Sequence, residues 1–135
     1  MRHIIFEHKQ PAGPFEDVAS FHDWFASLTR STAPAQNEDL GPWRSGLLDD
    51  VQIVFTQGDL HRSSIMMSRD SNGLPRITGV IGWHQSGWYP APWEFYKTRF
   101  TCNGNEKWEL DFILDFLQAY RGYTSWDYFV LALGV

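Results

Sequence analysis

The chain is poor in cysteine. Cys102 is the single one among 135 residues, so no internal disulfide can form, and the usage suits a reducing compartment. Long apolar runs are missing too. Ile4-Ile5-Phe6 is too short for the core of a signal peptide, and nothing approaches the length that crosses a bilayer. Positive charge is scarce: 11 Lys and Arg stand against 16 Asp and Glu, a net charge of −5. That balance disfavours nucleic acid or an anionic membrane as partner. There is no repeat, linker or low-complexity tract. The expectation is one soluble, cytoplasmic domain spanning residues 1–135.

Aromatic side chains, by contrast, are abundant. They make up 16% of the chain, with seven Trp, inside a hydrophobic fraction of 43%. That is enough for a core. Large aromatics either fill such a core or line a pocket for a small molecule. Phe15, Val18, Phe21, Phe25 and Leu28 recur at steps of three and four, which predicts a helix over residues 17–30. Asp17 near its start and Arg30 near its end suit the helix dipole. Residues 31–48 are polar, with Pro and Gly, and read as a loop. A β-branched run predicts a strand over 51–56. A second follows over 65–68, then, after the turn signal Asp70-Ser71-Asn72-Gly73-Leu74-Pro75, a third over 76–81. Residues 82–92 read as a loop dense in Trp, His and Gly. A helix is expected over 92–100, with Trp93, Tyr96 and Phe100 on one face. Another is expected over 106–120, capped by Asn105, striped by Trp108, Phe112, Phe116 and Tyr120, and stopped by Gly122. A buried helix is expected over 126–133.

The organising stretch is Phe55-Thr56-Gln57-Gly58-Asp59-Leu60-His61-Arg62-Ser63-Ser64. Gly58 breaks the strand and puts Asp59 and His61 on a tight loop ahead of a hairpin. Kinases display their catalytic base and metal ligands in this way. Their pattern is H-x-D, an Asn five residues after the Asp, and a metal-binding Asp beyond the next strand. Here Asp59 holds the first Asp position, Gln57 stands at the His, Ser64 at the Asn and Gly82 at the second Asp. Gln57-Gly-Asp-Leu-His-Arg-Ser-Ser64, followed by Ile77-Thr-Gly-Val-Ile-Gly-Trp83-His-Gln-Ser-Gly-Trp-Tyr-Pro-Ala-Pro-Trp-Glu94, resembles the aminoglycoside phosphotransferase/choline kinase-like family, most of all its fungal branch. That family writes the same segments H-G-D-L-H-x-x-N, I-I-D-W and G-W-Y-P-x-x-W-E. The resemblance runs over residues 13–133 and is specific over 55–94. It implies an α+β fold, the C-terminal lobe of a protein kinase-like structure, mainly helical, with a small β-hairpin region carrying the former catalytic loop. Ahead of the loop there is no G-x-G-x-x-G, and Lys9 is the one lysine. The chain therefore reads as that lobe without its N-terminal, phosphate-gripping partner.

In a kinase-like site Asp59 accepts the proton of the substrate hydroxyl. The plain alternative is an aspartate that bonds loop amides. His61 is two residues on and titrates in the neutral range when unperturbed, although the resemblance gives its position a mostly structural role. His84 lies in the segment that would carry the metal aspartate. If the two loops meet as the resemblance implies, Asp59, His61 and His84 form an acid/base cluster; otherwise His84 is a partly exposed loop histidine. The three have no metal-site spacing, and neither a metal nor another cofactor is expected. Ser63 and Ser64 lack a nucleophile elbow, and Cys102 reads as a structural thiol. Trp83, Trp88, Tyr89 and Trp93 are expected to stack on an apolar or aromatic substrate. Glu94 stands beside them, as a substrate contact or as a group serving a helix N-terminus. With Ser64 and Gly82 where magnesium is held, phosphoryl transfer is not expected. What remains is a metal-free acid/base enzyme of fungal specialised metabolism, performing a cyclisation, isomerisation or elimination on a small molecule. The alternatives are a non-catalytic pseudokinase-like binding module and a residual small-molecule phosphotransferase. An aromatic face left bare by a missing lobe predicts a homodimer joined through residues 1–10 or the cleft face.

Overall fold

The computed structural model describes residues 4–10, 12–30, 41–102, 107 and 112–134. Helix α1 (Val18–Ser27) begins where Asp17 caps it. The Asp17 carboxylate accepts from the Ser20 amide at 2.7 Å and from its hydroxyl at 2.8 Å, so one orphan amide of the first turn is satisfied. Val18, Phe21, His22, Phe25 and Ala26 face inward, the stripe that the three-and-four spacing predicts.

Four short strands follow: β1 (Ile53–Thr56), β2 (Ile65–Arg69), β3 (Pro75–Val80) and β4 (Gly87–Pro90). They form two antiparallel pairs. β2 and β3 make the expected hairpin, with a register shift at Met66/Met67. Its turn is closed by the Asp70 carboxylate, which accepts from the amides of Asn72 and Leu74 at 2.9 and 3.0 Å. β1 pairs with β4, Phe55 opposite Trp88 and Ile53 opposite Pro90. β4 lies inside the segment expected to be loop. Its Gly-Trp-Tyr-Pro sequence has little strand character, and β1 imposes it by supplying the ladder.

The remaining helices are α2 (Trp93–Thr101), α3 (Ile113–Phe116) and α4 (Tyr123–Ala132). The predicted helix over 106–120 is only partly visible. Asn105 and Trp108 lie outside the described residues, and the chain turns extended at Leu117. Ile113 is buried, while Phe112 and Phe116 are exposed; of the expected aromatic stripe these two face away from the core, and Tyr120 packs against it. Gly122 does not stop that helix. It stands at the head of α4 with φ of 96°. A Cβ there would come within 2.5 Å of the Gly46 carbonyl oxygen, so the site excludes a side chain. Beside it the Tyr96 hydroxyl donates to the Arg121 carbonyl, tying α2 to the start of α4.

The core is built of rings. Trp126 on α4 meets Trp93, Tyr96 and Phe100 of α2 at centroid distances of 5.5, 5.9 and 5.8 Å. Trp93 also meets Phe21 and Phe25 of α1 at 5.4 and 5.5 Å. A 3-10 turn, Ile4–Phe6, puts Ile5 and Phe6 into the same core, while Glu7, His8 and Gln10 stay exposed. Trp43, in the segment read as loop, stacks on Tyr128 at 4.9 Å. The architecture is mixed α+β, with four α-helices and two small antiparallel sheets among the described residues.

Candidate acid/base site on the 57–64 loop

β1 delivers the chain to the loop, and Gly58 turns it. Its φ is 80°, and a Cβ would lie 2.5 Å from the Gln85 carbonyl oxygen, so the position takes only glycine. The loop is then fastened at three points. The Gln57 side chain accepts the Asp59 amide at 2.7 Å and donates to the carbonyls of Ile81 and Gly82 at 2.8 and 3.1 Å. The Ser64 hydroxyl accepts the His61 amide at 2.9 Å. Its proton is shared between the carbonyls of Asp59 and His61, at 3.0 and 2.8 Å. Glu94, in the first turn of α2, accepts the Gln57 amide at 2.6 Å and the Gly58 amide at 3.2 and 3.3 Å. The Glu94 carboxylate therefore serves the loop and not the N-terminus of its own helix. Burial raises its pKa above the ordinary glutamate value, and the Asp59 charge adds to that. The two amide bonds and the Lys97 charge oppose it.

So fastened, the loop brings the three predicted groups together. Asp59 Oδ2 lies 3.8 Å from the Nε2 of His61 and 3.8 Å from the Nε2 of His84. Both gaps exceed a hydrogen bond. The Asp59 side chain is only 19% exposed, whereas that of His84 is 68% exposed, so the cluster opens on the histidine side. His84 Nε2 also lies 3.3 Å from Gln85 Nε2.

Lys97 is the residue that the sequence reading missed. It sits one turn beyond Glu94 on α2, is 4% exposed, and feels the charges of both Asp59 and Glu94. Burial lowers its pKa and those two carboxylates push it back up. The available signal was its place beside Trp93, Tyr96 and Phe100: a lysine four residues after Trp93 falls on the face that the apolar stripe buries.

The four predicted stacking aromatics do not share a surface. Strand alternation separates Trp88, 65% exposed, from Tyr89, 1% exposed. Tyr89 and Trp93, the latter also at 1%, stack on each other at 5.2 Å inside the core and present no surface to a ligand. Trp83 and Trp88 are outside. Phe55, not foreseen as a site residue, joins them, at 6.0 Å from Trp83 and 5.6 Å from Trp88. A hollow of about 430 Å³ beside this patch is lined by Phe55, Leu60, Trp83, Glu94 and Phe95 among others, within the size range of small-molecule pockets.

Among the described residues, no group of three or more His, Cys, Asp or Glu is arranged to hold a metal ion. Among them, too, no helix is long and apolar enough to cross a membrane. No protein-family model, no curated protein and no solved structure matches the chain.

Proposed function

We propose that the chain is a kinase-like C-terminal lobe repurposed for metal-free acid/base chemistry on a small apolar or aromatic molecule. In this reading it is a cytoplasmic enzyme of fungal specialised metabolism, of cyclase, isomerase or lyase type, without ATP, magnesium or any other cofactor. One observation carries it: a largely buried carboxylate, Asp59, within 3.8 Å of two imidazoles that reach solvent. In this arrangement Asp59 orients a histidine, and a substrate proton moves through His84, the more exposed of the two. The aromatic patch of Phe55, Trp83 and Trp88 borders His84 in sequence and gives a flat substrate somewhere to lie.

A second reading, a binding module without chemistry, draws on a different observation. The polar atoms of Gln57, Ser64 and Glu94 are all spent on fastening the loop. Proton–deuterium exchange separates the two. Aryl ketones incubated with the protein in D₂O lose their α-proton signal if a general base acts on them. Asp59→Asn is expected to slow that exchange by roughly 10²–10⁴-fold, with EDTA leaving it unchanged. If no ketone exchanges faster than in buffer, or if Asp59→Asn and His84→Ala both exchange at the wild-type rate, the acid/base reading fails and the binding module stands.

A further inference from the structure

On the opposite end of β1 and β4 lies a second hollow, of about 570 Å³. Its walls are Phe6, Phe15 and Trp24 on one side and Ile53, Trp88 and Pro90 on the other. We propose that this cavity is a binding site for an uncharged molecule built on a planar aromatic ring system, separate from the Asp59 cluster.

The walls come already fixed. Phe6 leans on Trp93 and Phe25, both at 5.9 Å, and Phe15 leans on Phe21 at 5.5 Å. Trp24 is held between Phe6 at 4.9 Å and Phe15 at 5.2 Å. These rings are anchored to the core from behind, so a ligand need not order them, and little entropy is lost on binding. The mouth is formed by Ile53 and Trp88, two large apolar side chains left exposed. An apolar ligand would cover both. Volume and lining are those of a small-molecule pocket, and walls of this many rings favour a flat aromatic guest. Charge at the rim narrows the class. Glu7, Glu16 and Asp17 stand against Lys9, which disfavours an anion. Ser20 hydrogen-bonds Asp17 without cancelling its charge, so the rim keeps an acidic excess, and the neutral class rests on the six apolar side chains that form the walls. No residue of the 57–64 loop lines this cavity. Trp88 is the one shared wall, since its other contact is Phe55.

The test uses the neutral fluorophore N-phenyl-1-naphthylamine, titrated into the full chain, against the anionic 1-anilinonaphthalene-8-sulfonate. Saturable binding of the neutral probe, one per chain, is expected, with the anion weaker. Ile53→Arg puts a charge in the mouth and Trp88→Ala removes a wall. Each is expected to weaken the neutral probe by about tenfold, the worth of one aromatic contact. Both sites are exposed, and near-ultraviolet circular dichroism checks that the fold survives. Should either variant misfold, nuclear Overhauser contacts from the bound probe to the Ile53 methyls in the wild-type protein decide the matter. Leu114→Ala, exposed and outside the cavity, is expected to bind the probe as the wild type does. Absence of saturation, unchanged affinity in folded Ile53→Arg, missing Ile53 contacts, or loss of binding in Leu114→Ala overturns the proposal.

Discussion

Removing the Glu94 carboxylate tests how the loop is held. In Glu94→Ala two backbone donors, the amides of Gln57 and Gly58, lose their acceptor, and both residues are buried. A hydrogen bond to a charged group contributes about 1.5–3 kcal/mol net. The gain is partly offset, because burial itself disfavours the ionised form of Glu94. A net loss of about 2–4 kcal/mol follows. With an unfolding entropy of about 2.1 cal/mol/K per residue, a chain of 135 residues loses about 3.5 °C in Tm per kcal/mol. The expected fall is therefore about 7–14 °C by calorimetry, with the exposed Glu16→Ala as control. The pH dependence carries its own sign. A carboxyl whose folded pKa is raised contributes stability that is present below the ordinary value, 4.5, and lost as pH rises through the folded value. The gap between wild type and Glu94→Ala should therefore be wider at acidic pH than at neutral pH. A fall in Tm under about 3 °C, or a gap that narrows on acidification, refutes the account of Glu94 as the fastener of the loop.

Three further outcomes follow from other parts of the molecule. His22 is buried with Nδ1 2.8 Å from Asp49 Oδ1, and burial lowers its pKa below 6.5 against the pull of Asp49. Its contribution to stability is therefore lost as pH falls below 6.5 through the folded value, and thermal melts between pH 7.5 and 5 should fall less steeply in His22→Gln than in wild type; parallel curves sink the claim. Gly82→Ala forces a side chain onto a φ of 81°, with its Cβ 3.4 Å from Gln57 Nε2, and should lose about 1–2 kcal/mol in urea unfolding, a loss that stays below measurement if the turn relaxes. Met66, Met67, Leu74 and Ile77 are exposed on the hairpin, a patch of the kind that proteins cover by association, so light scattering at micromolar concentration should return twice the chain mass of 15.7 kDa, and a monomeric mass counts against the homodimer.

Much of the scaffold was legible because it obeys simple periods. α1 follows its three-and-four stripe, and the β2–β3 hairpin follows its turn signal Asp70 to Pro75. What the sequence hid was set by pairing across distance. Gly87–Pro90 becomes a strand only because β1 lies alongside, and the pairing then decides that Tyr89 goes in and Trp88 stays out. A run of aromatics in a presumed loop gives no alternation to read, so pocket and core could not be separated there. The exposure of Phe112 and Phe116 has the same origin, since a four-residue repeat says that side chains share a face but not which way the face points.

The site was legible to a different depth. That Asp59, His61 and His84 meet followed from a resemblance between two loops and not from any local rule. What fastens them was invisible, because it depends on atoms that the resemblance assigns to another task. Gln57 and Ser64 stand where the family pattern has a histidine and a metal-binding asparagine. Here the side chain of each is consumed by loop backbone: Gln57 by the Asp59 amide and the carbonyls of Ile81 and Gly82, Ser64 by its bonds to Asp59 and His61. Gly82, with φ of 81°, lies against the same glutamine: its carbonyl and that of Ile81 accept from Gln57 Nε2. The three positions are thus physically linked: glutamine at 57 holds the Asp59 backbone and the carbonyls of Ile81 and Gly82, while serine at 64 closes the far side. The Asp59 backbone is thereby fixed at both its amide and its carbonyl by bonds within the chain, which leaves its carboxylate standing beside His61 and His84.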